Sequence, residues 1–220
     1  LKKDFIVNQA IKKKINNNFE LKKFQLPFQK REISNKTIAH LDIYNNFIFT
    51  ITGNGELYYF DKNKIVDKTI LFKKVDNNLT DLINDLRFFD TKKLILASDE
   101  ISIKDMLILQ NKIFLSYTNE IKEDCYNISI ISGEINFNSI NFKEFFTNQE
   151  CLSFKKVYGF NAQQSGGRLI KYKNNKILLT VGDFRSRPLA QDDESLFGKI
   201  ITIDLVTKEP EIFSKGHRNP

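Results

Sequence analysis

The chain has no tryptophan, one methionine, four prolines and two cysteines among its 220 residues. It is poor in alanine and glycine and rich in Lys, Asn, Ile and Phe in every segment, so the bias marks overall composition and no particular function. No apolar run approaches the roughly 18–20 residues that a membrane-spanning helix needs, which excludes such a helix. The first residues lack a secretory signal pattern. The chain opens on Leu1 and stops at Pro220 inside a motif, and is read as a segment of a longer protein; any signal would lie outside it. The two cysteines, Cys125 and Cys151, and the two histidines, His40 and His217, show no metal-ligand spacing, which argues against a zinc site. The 34 basic and 27 acidic side chains give a net charge of +7. The lysines are scattered among asparagines, and the densest run, IKKKINNNF at 11–19, reads as a solvated stretch. No nucleic-acid partner is expected.

What is present is a repeat. IYNNFIFTITGNGELYYFD (43–61), ILQNKIFLSYTNEIKEDCYNISIIS (108–132) and KYKNNKILLTVGDF (171–184) each hold an apolar strand, an Asn-containing turn and a second apolar strand. The second strands begin at Phe47, Ile113 and Ile177, so the copies are spaced by 66 and 64 residues. A third strand follows in each copy (56–60, 126–131, 198–205), then a fourth (68–75, 140–147, 209–213). Four antiparallel strands per repeat make a β-propeller blade. One blade cannot bury both of its faces, so neighbours must stack on it. The expected fold is therefore an all-β propeller with about three four-stranded blades in this segment, near 39–76, 102–148 and 165–215. A sandwich is the alternative, disfavoured by the regular strand count. Residues 1–36 are expected to be a lead-in or outer strand, and 37–220 a partial propeller continuing past the C-terminus. Residues 81–100 read as a link, with KKLILAS as an extra strand. In the second copy the third strand starts near Cys125 and the fourth ends shortly before Cys151. Antiparallel pairing brings these ends together, so a disulfide is geometrically possible.

The third copy carries the densest chemistry. SGGRLIKYKNNKILLTVGDF, RPLAQDDESLFGKIITID and PEIFSKGHRNP are similar to the glucose/sorbosone dehydrogenase family in the order and spacing of GGRL, GD, AQD, S-L-x-GK-I and GHRNP. AHLDIYNNFIFTITGNGELYYFD and KDMLILQNKIFLSYT resemble the family's earlier blades more loosely. The resemblance implies a six-bladed propeller that oxidises aldoses or other sugar alcohols with pyrroloquinoline quinone beside a calcium ion. It also implies a periplasmic or extracellular location, where a disulfide would be stable. A planar quinone bearing three carboxylates calls for arginine forks and amide donors. By the same resemblance these contacts fall on Arg218 and Asn219, and the calcium segment falls beyond Pro220.

Read for themselves, Gly166 and Gly167 suit positive φ where chain crosses between blades. Arg168 suits a loop brace, and Asp183 a turn cap. Gln191, Asp192 and Asp193 suit a brace beside Ser195, and Lys199 either a solvated lysine or a partner for Asp192. The departure from the family is at Gln164. The family places a histidine four residues before the GRL arginine, where it takes the proton from the sugar hydroxyl. Here the position holds a glutamine, which has no accessible pKa for that task. Gln163 precedes it where some members are acidic, and the family's blade-entry glutamine and paired glycines are missing around 98–107. His217 belongs to the GHRNP turn and is expected to act structurally or on the cofactor side. Three readings follow: an oxidising propeller with another base, a non-catalytic propeller binding a glycan or protein at its mouth, and a calcium-dependent hydrolytic propeller.

Overall fold

The computed structural model describes residues 5–6, 8–16, 19–25, 39–65, 69–83, 101–173 and 175–220. In chain order the strands are β1 (Phe5–Ile6), β2 (Asn8–Asn16), β3 (Phe19–Gln25), β4 (Ala39–Tyr44), β5 (Phe47–Thr52), β6 (Leu57–Asp61), β7 (Thr69–Ile70) and β8 (Lys73–Asn77). They continue as β9 (Ile103–Leu109), β10 (Lys112–Lys122), β11 (Cys125–Glu134), β12 (Ser139–Ile140) and β13 (Lys143–Thr147). The last four are β14 (Gly166–Lys171), β15 (Lys176–Val181), β16 (Lys199–Asp204) and β17 (Pro210–Lys215). The described helical pieces are short: one α-turn at Leu79–Leu82 and 3-10 turns at Lys62–Ile65, Ala162–Gln164 and Arg187–Ala190.

Three sheets of up-and-down antiparallel strands follow one another: β4-β5-β6-β8, β9-β10-β11-β13 and β14-β15-β16-β17. These are three blades of a β-propeller, the fold class read from the repeat. The hairpins turn where side chains tolerate left-handed backbone, at Asn45 (φ 54°) and at Gln110 and Asn111 (φ 50° and 62°). The burial pattern shows why three copies need one another. In β10 every residue from Ile113 to Thr118 is buried, because the middle blade is covered on both faces. In β5 only Phe49 and Ile51 are buried, on the face turned to the middle blade. Phe49 and Tyr59 stack at 5.6 Å there, and Phe137 of the second copy packs on both. Full burial of a side chain such as Phe49 or Ile51 contributes about 1.5–3 kcal/mol by removing it from water.

Two details differ from the sequence reading. The stretch 68–75 is not one strand: β7 pairs with β1, and the ladder to β6 resumes only at β8, after Phe72 has turned onto Phe60. The first sheet also gains a fifth member, β12 of the second copy, which runs parallel to β8. Asn78 seals that seam, its amide donating to Phe142 O (3.0 Å) while its oxygen accepts Phe142 N–H (2.7 Å). At the N-terminal end β2 and β3 form a hairpin that, among the described residues, pairs with no other strand. KKLILAS and most of the 81–100 link lie outside the described residues.

Cys125 and Cys151 form a disulfide, with Cα atoms 5.1 Å apart. It ties the start of β11 to the segment leading into the third blade, next to a bridge between Tyr126 and Leu152. Replacing both cysteines with serine is expected to lower stability by about 3 kcal/mol, since the bond closes a loop of 26 residues. Denaturant unfolding measures this, and mass spectrometry after alkylation of unreduced, exported protein should show no free thiol. Two alkylated cysteines would contradict the pairing.

Candidate functional site

Gln164 ends a 3-10 turn that Asn161 caps, its side-chain oxygen accepting Gln163 N–H at 2.8 Å. The turn delivers the chain to the start of β14, the inner strand of the third blade. Its main chain lies directly on Gly182: a Cβ there would stand 2.0 Å from Gln164 O. Gly166 and Gly167 have φ of 70° and 106°, and a Cβ on Gly167 would stand 2.3 Å from Lys104 Cβ. The paired glycines therefore have the backbone conformation and the close approach between blades that the sequence called for.

The segment after β17 folds back over this turn. Gly216 N–H donates to Ala190 O (2.9 Å), His217 N–H to Gly198 O (3.0 Å) and Asp183 N–H to Arg218 O (3.0 Å). Thr180 Oγ1 donates to Pro220 O at 3.1 Å. Arg218 and Asn219 are thereby brought to Gln164. Arg218 Nε–H donates to Gln164 Oε1 at 3.0 Å, and Asn219 Oδ1 accepts Gly166 N–H at 2.9 Å. His217 Nε2 lies 2.6 Å from Ser214 Oγ, a structural engagement within its own blade.

The polarity of these bonds sets the chemistry. Arginine has only donors, so Gln164 must turn its oxygen toward Arg218 and its NH₂ away. Asn219 has likewise spent its oxygen on the main chain. Among the described residues, neither amide NH₂ nor the terminal guanidinium nitrogens of the exposed Arg218 have a partner. Gln164, Arg218 and Asn219 thus present donors and one positive charge, and none of these three side chains can accept a proton at neutral pH. Ser165, fully buried beside Gln164, has a hydroxyl without a partner. This donor set fits the carboxylates of a quinone cofactor of the kind the resemblance implies. No group of three or more His, Cys, Asp or Glu side chains that could hold a metal occurs among the described residues.

Other expectations are corrected or extended. Asp183 is buried and caps its turn, accepting Arg185 N–H at 2.8 Å. Arg168 is a brace, as its position suggested, and its partner is Asp105 of the second blade (3.2 Å). The brace of Ser195 is Glu150, not the Gln191–Asp193 run: Glu150 accepts Ser195 Oγ–H at 2.7 Å and Leu196 N–H at 2.9 Å. Asp192 accepts Glu194 N–H, and Asp193 pairs with Lys215. Lys199 is neither solvated nor bonded to Asp192. It is fully buried, and its ammonium donates to the carbonyls of Leu189, Ala190 and Phe197 at 2.7, 3.1 and 2.9 Å. Burial lowers its pKa, against the pull of Asp192 and Glu150 nearby. No motif marks Glu150 or Asp105. The only trace of Asp105 is that Asp42, Asp105 and Arg168 stand at equal intervals along the chain, on the three inner strands.

Residues 100–220 match the family described as Glucose / Sorbosone dehydrogenase. Among curated proteins no significant match was found. Among solved structures the chain is similar to a glucose dehydrogenase (17% identity, TM-score 0.57), covering 83% of this chain and 52% of that one. It is similar to the soluble aldose sugar dehydrogenase from Escherichia coli in the apo form (18%, TM-score 0.56; 82% of this chain, 51% of that one). The PQQ-bound aldose sugar dehydrogenase from Streptomyces coelicolor is also similar (12%, TM-score 0.54; 83% and 56%). The chain spans about half the length of each.

Proposed function

The chain belongs to the Glucose / Sorbosone dehydrogenase family, and on that premise we propose that its mouth binds pyrroloquinoline quinone in a sugar-dehydrogenase-like site lacking the usual base. The observation that carries this is the bond from Arg218 Nε to Gln164 Oε1, which turns the donors of both side chains outward. The quinone, when bound, would supply the acceptor for a hydride from the carbon that bears the sugar hydroxyl. Arg218 would hold a carboxylate of it through its terminal nitrogens, and Asn219 would add an amide N–H. Gln164 would orient a substrate hydroxyl by donating to its oxygen, but leaves its proton in place. The substrate class is an aldose or another sugar alcohol, with calcium held by residues outside those described. The disulfide supports a periplasmic or extracellular location. No helix among the described residues is long and apolar enough to cross a membrane. Exposed Leu41 and Ile43 on the outward face of the first blade support further blades closing the ring.

Because the mouth offers donors without a base, a second reading is supported by the same observation: a non-catalytic propeller that binds a glycan or a protein there. Titration of pyrroloquinoline quinone, followed by fluorescence or calorimetry, separates the two. The native protein is expected to bind, and Arg218→Ala to weaken binding about 10–100-fold, the value of one charge-assisted hydrogen bond. Absence of quinone binding by the native protein would favour the binding module.

A further inference from the structure

The inner strands of the three blades meet at a cluster that the cofactor reading does not use. Asp105 of β9 is buried and accepts three hydrogen bonds. Its Oδ2 takes Leu169 N–H of the third blade at 2.9 Å. Its Oδ1 takes Met106 N–H at 2.9 Å and Arg168 Nη1–H at 3.2 Å. His40 of the first blade faces that same Oδ1 through Nδ1, but at 3.7 Å, too long for a hydrogen bond. The other ring nitrogen, Nε2, lies 3.3 Å from Ile103 O.

Both ring nitrogens therefore face acceptors. A neutral imidazole has one N–H and can satisfy one of them. With that proton on Nε2 toward Ile103, the Nδ1 lone pair faces the carboxylate and stays at the longer distance observed. A protonated ring would donate from Nδ1 as well, closing to roughly 2.8 Å of Oδ1. That oxygen has two lone pairs, already taken by Met106 N–H and Arg168. The main-chain donor is fixed in the β9 strand. The Arg168 side chain is 64% exposed and is the one free to leave.

We propose that Asp105 is the positioning residue that pins Arg168 at the seam between the second and third blades, and that His40 is its proton-controlled competitor, releasing Arg168 from that seam at acid pH. The groups facing His40 are Asp105 and Lys104 on β9 and Arg168 on β14, with Asp42 on its own strand. Burial holds the His40 pKa below the usual histidine value, opposed by Asp105 and assisted by Arg168 and Lys104. The ring is then neutral at neutral pH and Arg168 is pinned. As the pH falls below about 6.5 the unfolded chain takes up this proton before the folded one, so folding stability declines toward acid. The proposal does not depend on quinone binding.

Thermal midpoints of four forms of the protein test it: native, Arg168→Gln, His40→Asn and the double variant, each at pH 7.5 and at a pH about one unit below the His40 midpoint read by proton NMR. At pH 7.5 Arg168→Gln should lower the midpoint by about 2 °C in both backgrounds. At the acid pH it should do nothing in the native background and still cost about 2 °C in His40→Asn. An equal cost at both pH values in the native background would overturn the competition. Proton NMR of the His40 ring gives an independent reading. Its titration midpoint should rise in Arg168→Gln, which removes a neighbouring cation, and fall in Asp105→Asn. A midpoint unmoved by either substitution would also sink the proposal.

Discussion

Replacing Gln164 with histidine is expected to raise quinone-dependent aldose oxidation by about 10²–10⁴-fold, from weak or no turnover in the native protein. The geometry favours the substitution. The 164 side chain is already held by Arg218 Nε at 3.0 Å. An imidazole there would lie beside a guanidinium, which lowers its pKa and keeps it unprotonated at neutral pH. That is the state a general base requires. Arg218 would lose its acceptor and gain freedom to address the cofactor's carboxylate. The assay compares native and Gln164→His proteins with added quinone, calcium and an electron-acceptor dye across a panel of aldoses. Robust turnover by the native protein would show that another residue accepts the proton. Quinone binding by both forms with turnover by neither would place the defect elsewhere than position 164.

Much of the fold could be read from local pattern because a blade is built from local pairings. The β-branched and aromatic runs bounded by Asn and Asp turns placed β5, β10 and β15, and their following strands, close to their observed limits. The resemblance led to Gln164, Arg218 and Asn219, and the structure gathers these three through main-chain bonds of residues 216–220. What could not be read is contact between copies. The parallel pairing of β12 with β8 leaves no periodic signal, since two residues cannot show one. The grip of Glu150 on Ser195 and Leu196 joins residues 45 and 46 positions apart, in a segment without a motif. His40 and Asp105 belong to no motif, and only folding shows that His40 and Arg168 face one carboxylate oxygen of Asp105. Between-blade bonds of this kind depend on stacking geometry, which strand periodicity does not encode.

Lys199 shows how such hidden contacts govern the site. Lys199→Met is expected to destabilise the protein by about 1–3 kcal/mol, in the range for leaving a buried acceptor without its donor. The reason is the completeness of the arrangement: three ammonium protons meet three carbonyls, with no water needed. Methionine matches the length but removes all three bonds: Leu189 O and Ala190 O keep main-chain donors in Asp192 N–H and Gly216 N–H, while Phe197 O loses the donor that Lys199 supplies. Arginine would not rescue it, because a planar fork does not fit where a compact ammonium is fully enclosed. The effect should reach the mouth. Ala190 O also accepts Gly216 N–H, and residues 216–220 carry Arg218 and Asn219. Quinone affinity should therefore fall together with the unfolding midpoint, whereas Arg218→Ala should lower affinity alone. The pH dependence follows from the lowered pKa of Lys199. As the pH rises, the folded protein releases this proton before the unfolded chain does, so the native protein gains stability toward about pH 10.5. The deficit of Lys199→Met should widen between pH 7 and pH 10 in urea unfolding. A deficit below about 1 kcal/mol, or one that narrows with pH, would show that the enclosed ammonium does not hold this segment in place.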